Sequence, residues 1–169
     1  VIRILLAMGA NIETMNQRLV GGEPVADLRV KSAPLQGIHI PVEEVPLAID
    51  ELPAVLIAAA CAEGVTVLRG AEELRIKESD RIASMAEGLS KLGIYNTVQP
   101  DGIEVCGGEM SGGVIATHHD HRIAMSFSMA ALRATGRIKV SDCSHVTTSF
   151  PGFAALASGA GLQLEVAHD

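Results

Sequence analysis

The sequence has little positive charge: 13 Lys and Arg stand against 20 Asp and Glu in 169 residues, giving a formal net charge of -7 and a pI near 5.3. Phosphate backbones are held by basic faces, so this balance argues against a nucleic-acid partner, and any bound anion has to be held by a local cluster of cations. Long apolar runs are also missing. No stretch reaches the ~18 uninterrupted apolar residues of a membrane span, and no charged-then-apolar leader opens the chain, so the expectation is a soluble, cytoplasmic protein with no membrane partner. Cysteine is scarce and unpaired. Cys61, Cys106 and Cys143 are odd in number, far apart and without a CxxC pair, which signals neither a disulfide framework nor structural zinc; reduced core thiols are expected. The opening "VIRILLAMGA" lacks both an initiating Met and a capping residue before its apolar helical pattern, and so reads as a piece of a longer chain.

What is present is periodicity. The length suits one sizeable core. After the opening helix, residues 11–20 and 24–33 read as strands joined by "GGE", whose glycines supply the positive φ of a tight reversal. "LQGIHIPV" reads as a short strand, Asp50 to Ala62 as an apolar helix and "GVTVLRG" as a buried strand. A helix from Asp80 to Leu92 carries Ile82, Met85, Ala86, Leu89 and Leu92 on one stripe, with Gly93 as its stop, and "IYNTVQP" with "GIEVCGG" forms a hairpin. The order is βαβαββ. It begins again with "GVIATH", a helix from Arg122 to Ala134, "RIKVSD", a helix from Phe150 to Ala160 and "LQLEVA", lacking only the last strand. The expected division is therefore 1–33 as the end of one repeat, 34–110 as a complete repeat and 111–169 as a repeat without its last strand, about two and a third in all. The fold class is α/β, and helices apolar nearly all round, at 54–62 and 123–134, are expected inside a ring of sheets.

Polar clusters lie beside the helix starts: "AIDELP" at 48–53, "RIKESDR" at 75–81, "THHDHR" at 117–122 and "HVTTSFP" at 145–151. A helix start presents free N–H groups and the positive dipole end, so Arg75, Lys77 and Arg81 added there make a pocket suited to phosphate or carboxylate. Glu78 among them is placed to move a proton to or from a reacting carbon. The competing reading of "RIKESDR" is a capped helix with solvated ion pairs. For "THHDHR" it is a metal site, although the spacing of its imidazoles and carboxylate matches no standard pattern. Asp50 reads equally as a helix N-cap, and Thr147, Thr148 and Ser149 before Pro151 as a capping segment.

"LRIKESDRIASMAEGLSKLG", "DHRIAMSFSMAAL" and "TTSFPGF", in that order, resemble the 5-enolpyruvylshikimate-3-phosphate synthase family of enolpyruvyl transferases. Members are longer, so the resemblance implies the C-terminal domain of a two-domain protein. Each domain in the family is built of three βαβαββ units around a pseudo-threefold axis, and the active site lies in the cleft between the domains. It further implies transfer of the enolpyruvyl group of phosphoenolpyruvate to the 5-hydroxyl of shikimate 3-phosphate, in the shikimate route to chorismate and the aromatic amino acids, with no metal or organic cofactor. By the same resemblance Lys77, Arg81 and Arg122 hold phosphoenolpyruvate, Glu78 exchanges the proton at its methylene carbon, Asp50 takes the proton of the attacking hydroxyl, Glu73 falls where the family contacts shikimate 3-phosphate, and His121 matches a further substrate-binding residue of the cleft. The chain would be inactive without the missing N-terminal domain. Thr148 stands where many members carry Lys, and the motifs are similar to the branch described as glyphosate-tolerant, which makes glyphosate a weak inhibitor by expectation. Two alternatives stay open: a UDP-sugar enolpyruvyl transferase, whose catalytic Cys loop has no counterpart among the three cysteines, and a non-catalytic binding module of the same fold.

Overall fold

Every βαβ crossover must carry a helix over its sheet, and in this chain those helices become the core. The computed structural model describes residues 1–167. Helix α1 (Ile2–Ala7) leads into a long antiparallel hairpin of β1 (Asn11–Val20) and β2 (Glu23–Lys31). Gly21 and Gly22 form its turn at φ +61° and +89°, the left-handed pair that matches the twist of the flanking strands.

The expected strand at "LQGIHIPV" is reduced to two isolated parallel bridges, Gln36 to Glu63 and His39 to Val67. Three steps on one side face four on the other, so the register slips by one residue and no continuous ladder forms. Helix α2 (Val45–Ala48) and a 3-10 turn over Ile49–Glu51 then lead into α3 (Leu52–Ala60), which therefore starts two residues later than expected. Pro53 sits in its first turn, where no internal donor is needed. Strand β3 (Val65–Leu68), helix α4 (Arg81–Lys91) and the hairpin β4 (Asn96–Gln99) and β5 (Gly102–Cys106) complete the unit, with sheet order β3-β5-β4 and antiparallel pairing throughout.

In the next unit β6 (Gly113–Ala116) and β7 (Ile138–Ser141) pair in parallel across the helix α5 (His121–Ala130), followed by α6 (Ser144–Ser149) and α7 (Phe153–Gly159). Five expectations are corrected here. The helix read to Ala134 ends at Ala130, leaving Met129 and Leu132 exposed. Thr147, Thr148 and Ser149 belong to α6 rather than to a cap, and the last helix spans 153–159 rather than 150–160. "LQLEVA" forms no strand: its counterpart β4 pairs only with β5, and among the described residues no strand follows to play that part. The three thiols are free, but of the expected core thiols only half-buried Cys61 packs against the core, while Cys106 is half-buried and Cys143 is exposed.

The core is where α3, α4 and α5 meet. Leu52, Val55 and Leu56 of α3, Ile82, Met85 and Leu89 of α4, and Ile123 and Phe127 of α5 are all buried, over Leu68, Ile103 and Val105 of the sheet. Each such side chain contributes on the order of 1.5–3 kcal/mol when taken fully out of water. Gly88 lets α4 approach α5 closely, because a β-carbon there would overlap the Phe127 ring. This packing sets the three helices so that their first turns come together, and there the polar clusters meet.

Candidate functional site

Asp80 and Asp120 start the two helices that build the site. The Asp80 carboxylate accepts from the Ala83 amide and caps α4; that of Asp120 accepts from the amides of Arg122 and Ile123 and caps α5. Each capped helix then opens with a cation in its first turn, Arg81 in α4 and Arg122 in α5. A positive charge at the positive end of a helix dipole is locally unfavourable, so these residues need carboxylate partners.

Arg81 has three. Its side chain is 1% exposed, and Nε donates to Asp120 Oδ2 at 2.8 Å, Nη1 to Asp50 Oδ1 at 3.0 Å and Nη2 to Glu78 Oε2 at 2.6 Å. Asp120 is fully buried and also accepts from the Ser79 hydroxyl at 3.1 Å. Lys77 hydrogen-bonds Glu73 and lies 3.5 Å from Asp50. Arg122 Nη1 donates to the Asp50 carbonyl at 2.8 Å and to Glu51 at 3.1 Å. Three clusters far apart in sequence are thus one network.

The charges set one another's proton affinities. Burial on its own would push the Asp50 carboxyl up, but Arg122, Lys77 and the hydrogen bond from Arg81 outweigh it and hold it below the usual carboxylate value. Asp120 behaves likewise: burial raises it, while Arg81, the Arg122 amide and Ser79 bring it below normal. Lys77 is raised, chiefly by its hydrogen bond to Glu73 and further by the charges of Asp50 and Glu73, against the opposing effect of desolvation.

Six of the residues singled out from the sequence, Asp50, Glu73, Lys77, Glu78, Arg81 and Arg122, are joined in this network. His121 is half-buried at the first position of α5, and its ring makes no hydrogen bond among the described residues. Asp50 is no helix cap: it lies in the 3-10 turn before α3, and its carboxylate faces Arg81. The "HVTTSFP" segment reaches the others through His145, whose ring packs edge-on against His119 at 5.5 Å, while Thr148 is exposed on α6. His118 bonds Glu87 of α4, and among the described residues no three His, Cys, Asp or Glu are arranged to hold a metal ion.

Sequence reasoning missed Asp120 and Glu51. An Asp immediately before an apolar helical run is a capping signal, which marks Asp120 as a helix start but says nothing of its second role beneath Arg81. The backbone ahead of it is unusual too: His118 and His119 adopt φ of +51° and +62°, and the buried Thr117 hydroxyl ties the turn to the Ser141 and Asp142 carbonyls.

Residues 1–156 match the family model described as EPSP synthase (3-phosphoshikimate 1-carboxyvinyltransferase). A 3-phosphoshikimate 1-carboxyvinyltransferase from Alkalilimnicola ehrlichii is 60% identical over 165 residues, 97% of this chain and 37% of that relative. The structure of an EPSP synthase from Acinetobacter baumannii superposes with a TM-score of 0.96 at 55% identity, covering 99% of this chain and 40% of its own. The enolpyruvyl transferase NikO from Streptomyces tendae matches 93% of this chain and 34% of its own with a TM-score of 0.59 at 22% identity, a likeness of fold alone. The chain spans about two fifths of the length of the relatives it matches.

Proposed function

The chain belongs to the EPSP synthase family, and on that basis we propose that it forms one wall of a site that transfers the enolpyruvyl group of phosphoenolpyruvate to the 5-hydroxyl of shikimate 3-phosphate. The observation that carries the reading is that two carboxylates suited to acid/base work, Asp50 and Glu78, bond the same buried guanidinium of Arg81. They are held side by side yet remain open to solvent, with side chains 41% and 50% exposed.

In this reading the 5-hydroxyl oxygen attacks C2 of phosphoenolpyruvate and gives its proton to Asp50, while Glu78 delivers a proton to the methylene carbon. The tetrahedral intermediate then expels phosphate, which takes the proton held by Asp50, while the methyl carbon gives a proton back to Glu78. Lys77 and Arg122 hold the phosphate and carboxylate of the enol substrate, exchanging Glu73 and Glu51 for the incoming anion. Arg81 reaches the ligand only by releasing Asp50 or Glu78. Asp50 is a poor base while three cations face it; anions that draw Lys77 and Arg122 away raise its proton affinity at the moment a base is needed. Glu73 and His121 line the rim.

The other wall comes from the domain encoded in the remaining three fifths of the relatives' length, and the chain alone is inactive, because closure supplies orientation and water exclusion. The place of work is the cytoplasm. Glyphosate competes weakly for the same cations, since neutral Thr148 offers it none.

The test is a pair of variants in the full-length enzyme. Lys77→Ala removes a cation and should raise KM for phosphoenolpyruvate by roughly 10- to 100-fold. Glu78→Gln keeps shape but cannot carry the proton, so kcat should fall by ~100-fold or more with KM little changed. Normal turnover of Glu78→Gln would reduce the network to a solvated ion-pair cluster.

A further inference from the structure

Lys77 and Glu78 ride on a segment that polar contacts alone hold in place. From Arg75 to Ser79 no residue is buried, and Ile76 is 82% exposed, so apolar packing ends with Leu74. The 3-10 turn over Glu72–Ile76 ends at Ile76, and no strand ladder follows before α4. Beside the bonds of Glu78 to Arg81 and of Ser79 to Asp120, the segment is tied to the turn between β4 and β5. At the near end, the Asp101 carboxylate accepts from the Gly70 amide at 2.9 Å and its carbonyl from the Ala71 amide at 2.7 Å. At the far end, Arg75 uses all three guanidinium nitrogens: Nε donates to the Pro100 carbonyl at 2.8 Å, Nη2 to the Gln99 carbonyl at 2.7 Å and Nη1 to Asp80 Oδ2 at 2.7 Å. Asp80 is in turn the cap of α4.

We infer that Arg75 is a positioning residue: its forked contacts to Gln99, Pro100 and Asp80 clamp the 72–80 segment on the β4–β5 turn and so set where Lys77 and Glu78 stand. The inference rests on the enolpyruvyl-transfer reading for its kinetic consequence, though not for the clamp itself. Arg75 reaches its three acceptors from three separate nitrogens of one rigid plane, whereas an ammonium group carries all its N–H donors on a single nitrogen and cannot reach the same three acceptors from one point. A purely electrostatic role in attracting anionic substrates would survive Arg75→Lys, and a positioning role would not.

The experiment has two arms. In this chain, amide hydrogen exchange of residues 72–79 is compared between the parent, Arg75→Lys and Arg75→Ala, with exchange in α3 and α5 as the measure of global folding. Exchange of the segment should rise in both variants while the helices stay protected; an unchanged segment overturns the clamp. In the full-length enzyme, Arg75→Lys should lower kcat by roughly 10- to 100-fold, as expected of a misplaced reacting group, and added guanidinium should partly restore Arg75→Ala. Normal kinetics of Arg75→Lys beside an impaired Glu78→Gln would refute the positioning role alone. Normal kinetics of both would refute the enolpyruvyl-transfer reading, and the exchange arm would still decide the clamp.

Discussion

Replacing Asp120 by Asn changes one oxygen to an NH2 group at the best-buried point of the network. The side chain accepts on both oxygens: Oδ1 from the Arg122 and Ile123 amides, at 2.9 and 3.4 Å, and Oδ2 from Arg81 Nε and the Ser79 hydroxyl, at 2.8 and 3.1 Å. Asn keeps the helix cap only by placing its oxygen at Oδ1. Its NH2 group then faces Arg81 Nε, donor against donor, in a pocket without water access. The Ser79 hydroxyl can turn to accept, so the damage centres on Arg81. One charge-assisted hydrogen bond is lost and a buried donor is left unpaired; since Asp50 and Glu78 still compensate the guanidinium, the loss should be about 3 kcal/mol, at the low end for a broken buried pair. The sequence has no Trp and one Tyr, so urea unfolding is best followed by far-UV circular dichroism. A midpoint shift worth less than about 0.5 kcal/mol would show that the Asp120–Arg81 pair does not hold the helix starts together.

Two further outcomes follow from the same packing and charges. Gly88→Ala drives a methyl group into the Phe127 ring and should destabilise the chain by about 1–3 kcal/mol, whereas Gly159→Ala, at the end of α7 with open space around it, should be neutral within ~0.5 kcal/mol; equal unfolding midpoints for the two would contradict the close approach of α4 and α5. Asp50 and Asp120 bind protons less readily when folded, so their contribution is present above the ordinary carboxylate range and is lost as pH falls through and below that range. Urea midpoints measured across that range should fall, with a shallower slope in Asp120→Asn; parallel curves would contradict the assignment.

The elements legible in the sequence are those decided locally. Helix α4 has a cap, an apolar stripe and a stop within fifteen residues, and the β1–β2 turn is written in two adjacent glycines. The elements that went astray are decided by distant partners. Residues 35–42 look like a strand but meet β3 with a slipped register, and 162–167 have strand composition with no strand among the described residues paired to them. Thr147 to Ser149 are helical because α6 packs on α5, which overrides the preference of such residues for caps. At the site, residue types and their closeness to helix starts could be read, but not their bonds. Asp50 lies 31 residues from Arg81, and Arg81 lies 39 from Asp120, so only the packing of α3, α4 and α5 brings them together.

We propose that this chain carries the proton-moving half of a shared enolpyruvyl-transfer site. This is tested most directly by mixing the purified chain with the complementary N-terminal portion of a full-length relative and measuring phosphate release from phosphoenolpyruvate and shikimate 3-phosphate. Neither part alone should release phosphate, the mixture should, and none should be released when the chain carries Glu78→Gln. Release at a full rate from the chain alone, or a stable complex of the two folded parts that releases no phosphate, would contradict it.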